Sequence, residues 1–269
     1  MPHGPVFRHE LAEDLRRIGI QAGDVLLVHA SMRAIGWVCG GATDVVRALR
    51  EVVGDDGTVV VPAQTPDNRD PERWTQYPAG TVPEEWWDAV REHLPAFDRE
   101  LSPSMGMGVI AERLRTWPGA KRSAHPQTSF AAVGRRAETL MAGHELESML
   151  GERSPLARLE EYGAKVLLLG VGFDRCTAFH LAEYRQENAA MRENSCVVVK
   201  DGRRQWITYR TVQVSDADFA ELGRDFEHQT AHVRTGTIGH ALSRLFSLAE
   251  AVEFATQWLP LNRRAVHDR

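Results

Sequence analysis

Val25-Leu26-Leu27-Val28-His29-Ala30-Ser31 is followed by Gly36-Trp37-Val38-Cys39-Gly40-Gly41, an amphipathic run over Thr43–Val53, the turn Gly54-Asp55-Asp56-Gly57 and the apolar segment Thr58–Val61. Val25–Val28 and Thr58–Val61 read as buried strands, because short apolar runs bounded by turn residues suit strands covered on both faces. About 30 residues separate them, the length that a parallel crossover through a helix requires. Lys165–Val171 is a third buried strand of the same kind. These three segments define an α/β chain.

The remaining segments surround that core. Glu10–Ile18 carries an apolar stripe at Leu11, Leu15 and Ile18 and reads as a helix, ended by a turn over Gly19–Gly23. Pro66–Pro83, with Trp74 and Tyr77, is irregular, and a loop of that length in a compact enzyme is usually functional. Helices are expected from Pro83 through Trp86, Trp87 and Val90, over Gly106–Thr116, and over Ser154–Tyr162, where Ser154 caps and Pro155 takes the first position. Ser129–Val133 reads as a strand. Cys196–Lys200, Asp201-Gly202 and Gln205–Val214 read as a β-hairpin. Thr177–Asn188, Asp216–Gln229 and Ile238–Trp258 read as helices. With no linker or repeat, residues 1–269 are expected to form one unit with an antiparallel insertion.

Composition narrows the class. The chain has 269 residues, 43% of them hydrophobic, enough for one large core. No run of about 18 apolar residues is present, so no membrane span is expected, and Met1–Glu10 has no apolar signal region. Three cysteines without a CxxC pair suit reduced thiols in the cytoplasm. A net charge of −5 argues against nucleic acid and favours a cationic ligand.

The chemistry concentrates in Gly170-Val171-Gly172-Phe173-Asp174-Arg175-Cys176-Thr177-Ala178-Phe179-His180-Leu181-Ala182-Glu183. If Thr177 opens a helix, His180 and Glu183 stand three apart on one face. A histidine beside carboxylates suits proton transfer near neutral pH. It would also suit half of a metal site, but no second such pair occurs, and no metal is expected. Gly36–Gly41 lies between a strand and a helix, where glycines let the backbone approach an anion; a plain tight turn is the alternative. Gly106-Met107-Gly108-Val109-Ile110-Ala111 has dinucleotide spacing but no apolar strand before it, so a close helix–backbone contact is expected there. From spacing, His125 before Pro126 reads as structural, and Cys39 as a small apolar residue.

Several motifs then coincide in order: Val28-His29-Ala30-Ser31-Met32, Ile35–Gly41, Gly57–Pro62, Arg122–Gly134, Gly170–Glu183 and Gly236-Thr237-Ile238-Gly239. Together they resemble the aminoglycoside 3-N-acetyltransferase family. The resemblance implies that family's α/β sandwich, with a central mixed sheet, helices on both faces and an antiparallel β insertion, and not the GNAT fold. It implies acetyl-CoA as donor and, as acceptor, the 3-amino group of the 2-deoxystreptamine ring of a cationic aminoglycoside, with antibiotic resistance as the role. It places Ser31 and the loop Trp37, Val38, Cys39, Gly40 and Gly41 on the CoA arm, with Ser104, His125 and Ser129 on the CoA side. It makes His180 the catalytic histidine, Asp174 and Glu183 acidic positions around the acceptor, and Glu227 the late carboxylate beside the histidine. Cys176 stands where family members more often have Asn, and Ala30 where Ser is common.

Chemistry adds a constraint. An amine with a lysine-like pKa must lose its proton before it can attack a thioester, at roughly 4–5 kcal/mol near pH 7. Carboxylates around the acceptor oppose that loss, so a base is required. His180 is expected to be that base, oriented by Glu227 or else by Glu183. Direct transfer needs no covalent intermediate. Acetylation of another amine, thioester hydrolysis, and drug sequestration without turnover stay open from sequence alone, as does a monomer or a homodimer.

Overall fold

The structure, a computed structural model, describes residues 4–74 and 82–263. Its strands, in chain order, are β1 (Val25–Ala30), β2 (Thr58–Pro62), β3 (Lys121–Arg122), β4 (Phe130–Gly134), β5 (Lys165–Leu169), β6 (Met191–Lys200), β7 (Arg203–Val212), β8 (Arg234–Ile238) and β9 (Ala241–Ser247). Its helices are α1 (Arg8–Ile18), α2 (Met32–Ile35), α3 (Gly41–Val53), α4 (Trp87–His93), α5 (Gly108–Arg115), α6 (Ala137–Met141), α7 (Pro155–Glu161), α8 (Phe179–Tyr184), α9 (Phe219–Gln229) and α10 (Leu248–Asn262).

Seven strands form one sheet in the order β3-β4-β2-β1-β5-β9-β8. β1 runs parallel to both β2 and β5. The outer strands are antiparallel, so the sheet is mixed. The three parallel strands are apolar along their length because both sides are covered. Period-two alternation divides them between two cores. Val25 and Leu27 face one side with Val60, Val166 and Leu168, under aromatic residues such as Phe173, Phe179, Phe219 and Phe226. Leu26 and Val28 face the other with Val59, Val61 and Leu167, under α1, α3 and α5. β6 and β7 form a separate two-stranded antiparallel sheet. Its two-residue turn needs left-handed backbone at Asp201 (φ 52°) and Gly202 (φ 71°), which the Asp-Gly pair supplies.

The structure corrects several expected boundaries. The run Ile238–Trp258 is not one helix: Ile238 ends β8, Ala241–Ser247 is β9, and the helix spans Leu248–Asn262. Ala241-Leu242-Ser243-Arg244-Leu245 has apolar spacing compatible with either period. Its pairing beside β5 at the sheet centre, in register from Lys165↔Ser247 to Leu169↔Ser243, decides for strand. Thr177–Asn188 shrinks to the short helix α8, which Thr177 does not cap. Pro83 leads into one 3₁₀ turn before α4. Of the long loop Pro66–Pro83, Tyr77 lies outside the described residues, whereas Trp74 is buried and bonds the carbonyl of Asp67 through its indole N–H.

Helix α9 packs tightly on the loop after β5. A Cβ at Gly223 would lie 2.0 Å from Cγ of Phe173, which is itself buried against Phe179 and Phe246. Gly223→Ala is therefore expected to destabilise the protein by about 1–3 kcal/mol through overpacking. Urea unfolding checks this; an unchanged midpoint would show that the contact relaxes without cost.

Candidate active site

A cavity of about 450 Å³ opens at the carboxyl ends of the three parallel strands. Its wall takes His29, Ala30 and Ser31 from the end of β1, Val61 and Pro62 from β2, and Val171, Asp174, Cys176, Thr177 and His180 from the segment after β5. This is the place where an open α/β sheet binds ligands, because the chain leaves β1 toward β2 on one side while β5 lies on the other. The volume suits a small-molecule site.

His180 carries the clearest chemistry. Its Nδ1 lies 2.5 Å from Oε2 of Glu183, one helical turn on. Glu183 is buried, and its other oxygen accepts hydrogen bonds from the backbone N–H of Ser215, at 2.9 Å, and from Arg263. Arg263 is held in turn by Asp218. A carboxylate accepts, so Nδ1 carries the proton and Nε2 has the free lone pair. The ring packs on Phe219, with centroids 4.7 Å apart. The pair thus holds an imidazole whose tautomer is set by a buried acceptor, a geometry compatible with general-base chemistry.

Glu227 does not take the orienting position. Its carboxylate accepts from Nε of Arg244 at 2.8 Å, and that guanidinium lies over the Phe173 ring. The expectation that Glu227 orients His180 is corrected in favour of Glu183.

The other expected positions separate into two groups. Asp174 and Ser31 line the cavity; Asp174 is half exposed and paired with Arg175. Ser31 also caps α2 by accepting from the N–H of Ala34. Trp37, Val38, Cys39, Gly40 and Gly41 do not line it. Val38 is buried in a bridge with Val6, Trp37 is exposed, and Cys39 faces a separate open depression with Phe7, Arg8, His9, Asp44 and Glu51. Ser104 is also outside the cavity wall and donates to Glu112 at 2.6 Å. Ser129 is fully buried and bridges Arg122 to the carbonyl of Ala63. His125 is fully buried too. Its Nδ1 accepts from the N–H groups of Gln127 and Thr128, and its Nε2 contacts the carbonyl of Leu146. His125 and Ser129 therefore do not line the cavity, and their polar atoms are engaged inside the protein.

Three contributors to the wall were missed from sequence. Gly106–Ala111 lines the cavity at the N-terminus of α5, so the close helix–backbone contact expected there is also a cavity wall. Asp216 is a second exposed carboxylate on the wall; it precedes α9, which starts at Phe219 and not at Asp216, and nothing in its local sequence marks it. His29 is the third; a strand histidine in an apolar run gives no spacing signal. Burial, followed by the charge of His180, lowers His29 to about 3. Cys176 lines the same wall, but burial pushes its thiol up to about 12, which removes it as a nucleophile at neutral pH. Among the described residues, no group of three His, Cys, Asp or Glu side chains could hold a metal ion, and no helix is long and apolar enough to cross a membrane.

Comparison with known proteins places this geometry. Residues 27–260 match the aminoglycoside 3-N-acetyltransferase family, and the chain belongs to it. It is 42% identical over 255 residues to the SPbeta prophage-derived aminoglycoside N(3')-acetyltransferase-like protein YokD of Bacillus subtilis, covering 94% of this chain and 92% of the relative. The crystal structure of that protein superposes with a TM-score of 0.92, covering 96% of this chain and 95% of that one. AAC-IIIb in its binary complex with CoASH is 33% identical at a TM-score of 0.84, covering 99% of this chain and all of that one. AAC-VIa bound to sisomicin is 34% identical at 0.85, covering 98% and 100%.

The buried imidazoles set an acid limit on stability. His125 is lowered to about 4 by burial, partly offset by its bond to Leu146, and His144 is lowered well below 6.5 by burial and by His125. Such groups bind fewer protons folded than unfolded, so they destabilise as pH falls below about 6.5, and the penalty saturates below their folded values. Each contributes up to about 1.4 kcal/mol per pH unit within that window. Tm is expected to fall from about pH 6.5 downward, above the carboxylate range. A level Tm down to about pH 5 would contradict neutral burial.

Proposed function

We propose that this chain transfers the acetyl group of acetyl-CoA directly to the 3-amino group of the 2-deoxystreptamine ring of an aminoglycoside, with His180 as general base. The observation that carries this is the His180–Glu183 pair on the cavity wall, in a chain of this family. The relatives solved with CoASH and with sisomicin support the two ligand classes.

The acceptor arrives as an ammonium ion, attracted by the exposed carboxylates of Asp174 and Asp216. His180 takes one proton at Nε2, while Glu183 keeps the proton on Nδ1 and stabilises the imidazolium that forms. The freed amine attacks the thioester carbon. A C–N bond forms and the C–S bond breaks; of the two protons the nitrogen gives up in becoming an amide, one passes through His180 to the departing thiolate, which leaves as CoASH, and the other is released to solvent. No enzyme nucleophile takes part, consistent with the protonated Cys176. The proposed setting is the cytoplasm, as a monomer or homodimer, with resistance to the acceptor drug as the role.

Thiol release from acetyl-CoA, followed with and without a panel of 2-deoxystreptamine aminoglycosides, tests this reading. Acceptor-dependent release with one added acetyl group in the product supports it. Release without acceptor would replace it with a hydrolase. His180→Ala is expected to lower kcat by about 10²–10⁴ with KM for acetyl-CoA little changed; near-normal turnover would remove His180 from the mechanism. KM for the acceptor is expected to rise with salt, because Asp174 and Asp216 are exposed and their attraction is screened over a Debye length of about 10 Å at 0.1 M. A salt-independent KM would argue for a neutral acceptor.

A further inference from the structure

His29 has no role in the chemistry above, yet it stands on the wall of the same cavity as His180. It is the fifth residue of β1, between β2 and β5, level with Leu168. Strand alternation puts its side chain on the same sheet face as Val25 and Leu27, the face covered by Phe173 and Phe179 and by the helix that carries His180. Only 7% of the residue is exposed, and among the described residues no group hydrogen-bonds its Nε2. His125 and His144, equally buried, each have partners for both ring nitrogens.

A buried polar atom without a partner costs stability, and an apolar side chain of similar shape would fill the position better. Such an atom beside a substrate cavity is explained if its partner is the substrate. We propose that His29 is a further catalytic residue, a neutral imidazole whose Nε2–H donates a hydrogen bond to the acetyl carbonyl oxygen as negative charge develops there. This deepens the acetyltransferase reading and rests on it.

The two histidines divide the work by environment. His180 has a carboxylate to stabilise its imidazolium and takes the proton from the amine. His29 has no carboxylate partner among the described residues, so burial keeps it neutral, and the charge His180 gains when it takes a proton acts in the same direction. A neutral imidazole can donate one hydrogen bond without releasing its proton, which is what an oxyanion needs. No bond to His29 forms or breaks. Asp174 and Asp216, the carboxylates on the same wall, would oppose the oxyanion if they approached it. A neutral donor deeper in the cavity has no such conflict.

The test compares His29→Gln with His29→Met, which are close in size and differ in whether the end of the side chain can donate. If His29 acts as a donor, kcat falls by about 10²–10³ in the Met variant and recovers at least about tenfold in the Gln variant. KM for both substrates should change little, and the Met variant should be as stable as the wild type or more so. Equal kcat for Met and Gln, or a wild-type kcat in both, would overturn the proposal. A transferase reading that fails leaves a separate readout. In 15N-histidine spectra, a shift of the His29 Nε2 signal on addition of acetyl-CoA alone supports contact with the donor, whatever the acceptor. An unmoved signal at saturation overturns it.

Discussion

The buried carboxylate of Glu183 is the constraint around which the site is built. A carboxylate sealed from water is costly unless each oxygen has donors. Here one oxygen takes the proton side of His180, and the other takes Arg263 and the backbone of Ser215. Those partners come from α8, from the segment before α9 and from the end of α10, so three parts of the chain must be in place before the imidazole is fixed. The tautomer of His180 is in this sense a product of the whole fold on that face of the sheet.

The sheet supplies the other half. Two strands flank β1 in parallel and on opposite sides, which leaves an opening beyond its carboxyl end. The loop after β5 crosses that opening and brings Asp174 and His180 into it. From the far side, Gly106 and Gly108 hold left-handed backbone and turn the start of α5 onto the cavity wall. Two exposed carboxylates at the wall and one oriented imidazole together suit the proposed reaction of a cationic amine with a thioester.

Much of this was legible in the sequence because it is local. The three buried strands, the Asp-Gly hairpin turn and the three-residue spacing of His180 and Glu183 each follow from residues within a few positions of one another. What was not legible depends on distant pairing. Ala241–Ser247 became strand because β5 needed a neighbour there. Glu227 was carried over from family resemblance as the carboxylate beside His180, whereas Arg244, seventeen positions on, claims it. Arg263 gave no local sign of reaching Glu183. The family resemblance puts His125 and Ser129 on the CoA side, whereas in the fold their polar atoms are engaged by internal hydrogen bonds between distant segments. His29 lay inside an apolar strand, where periodicity reports burial and is silent about an unpartnered nitrogen.

The most direct test is turnover of Glu183→Gln set against Glu227→Gln, with folding of both checked by near-ultraviolet circular dichroism. If Glu183 orients and stabilises the base, the Glu183 variant loses about 10²–10⁴ in kcat and the Glu227 variant stays within about threefold of wild type. The opposite order, or equal turnover in both, would contradict the account.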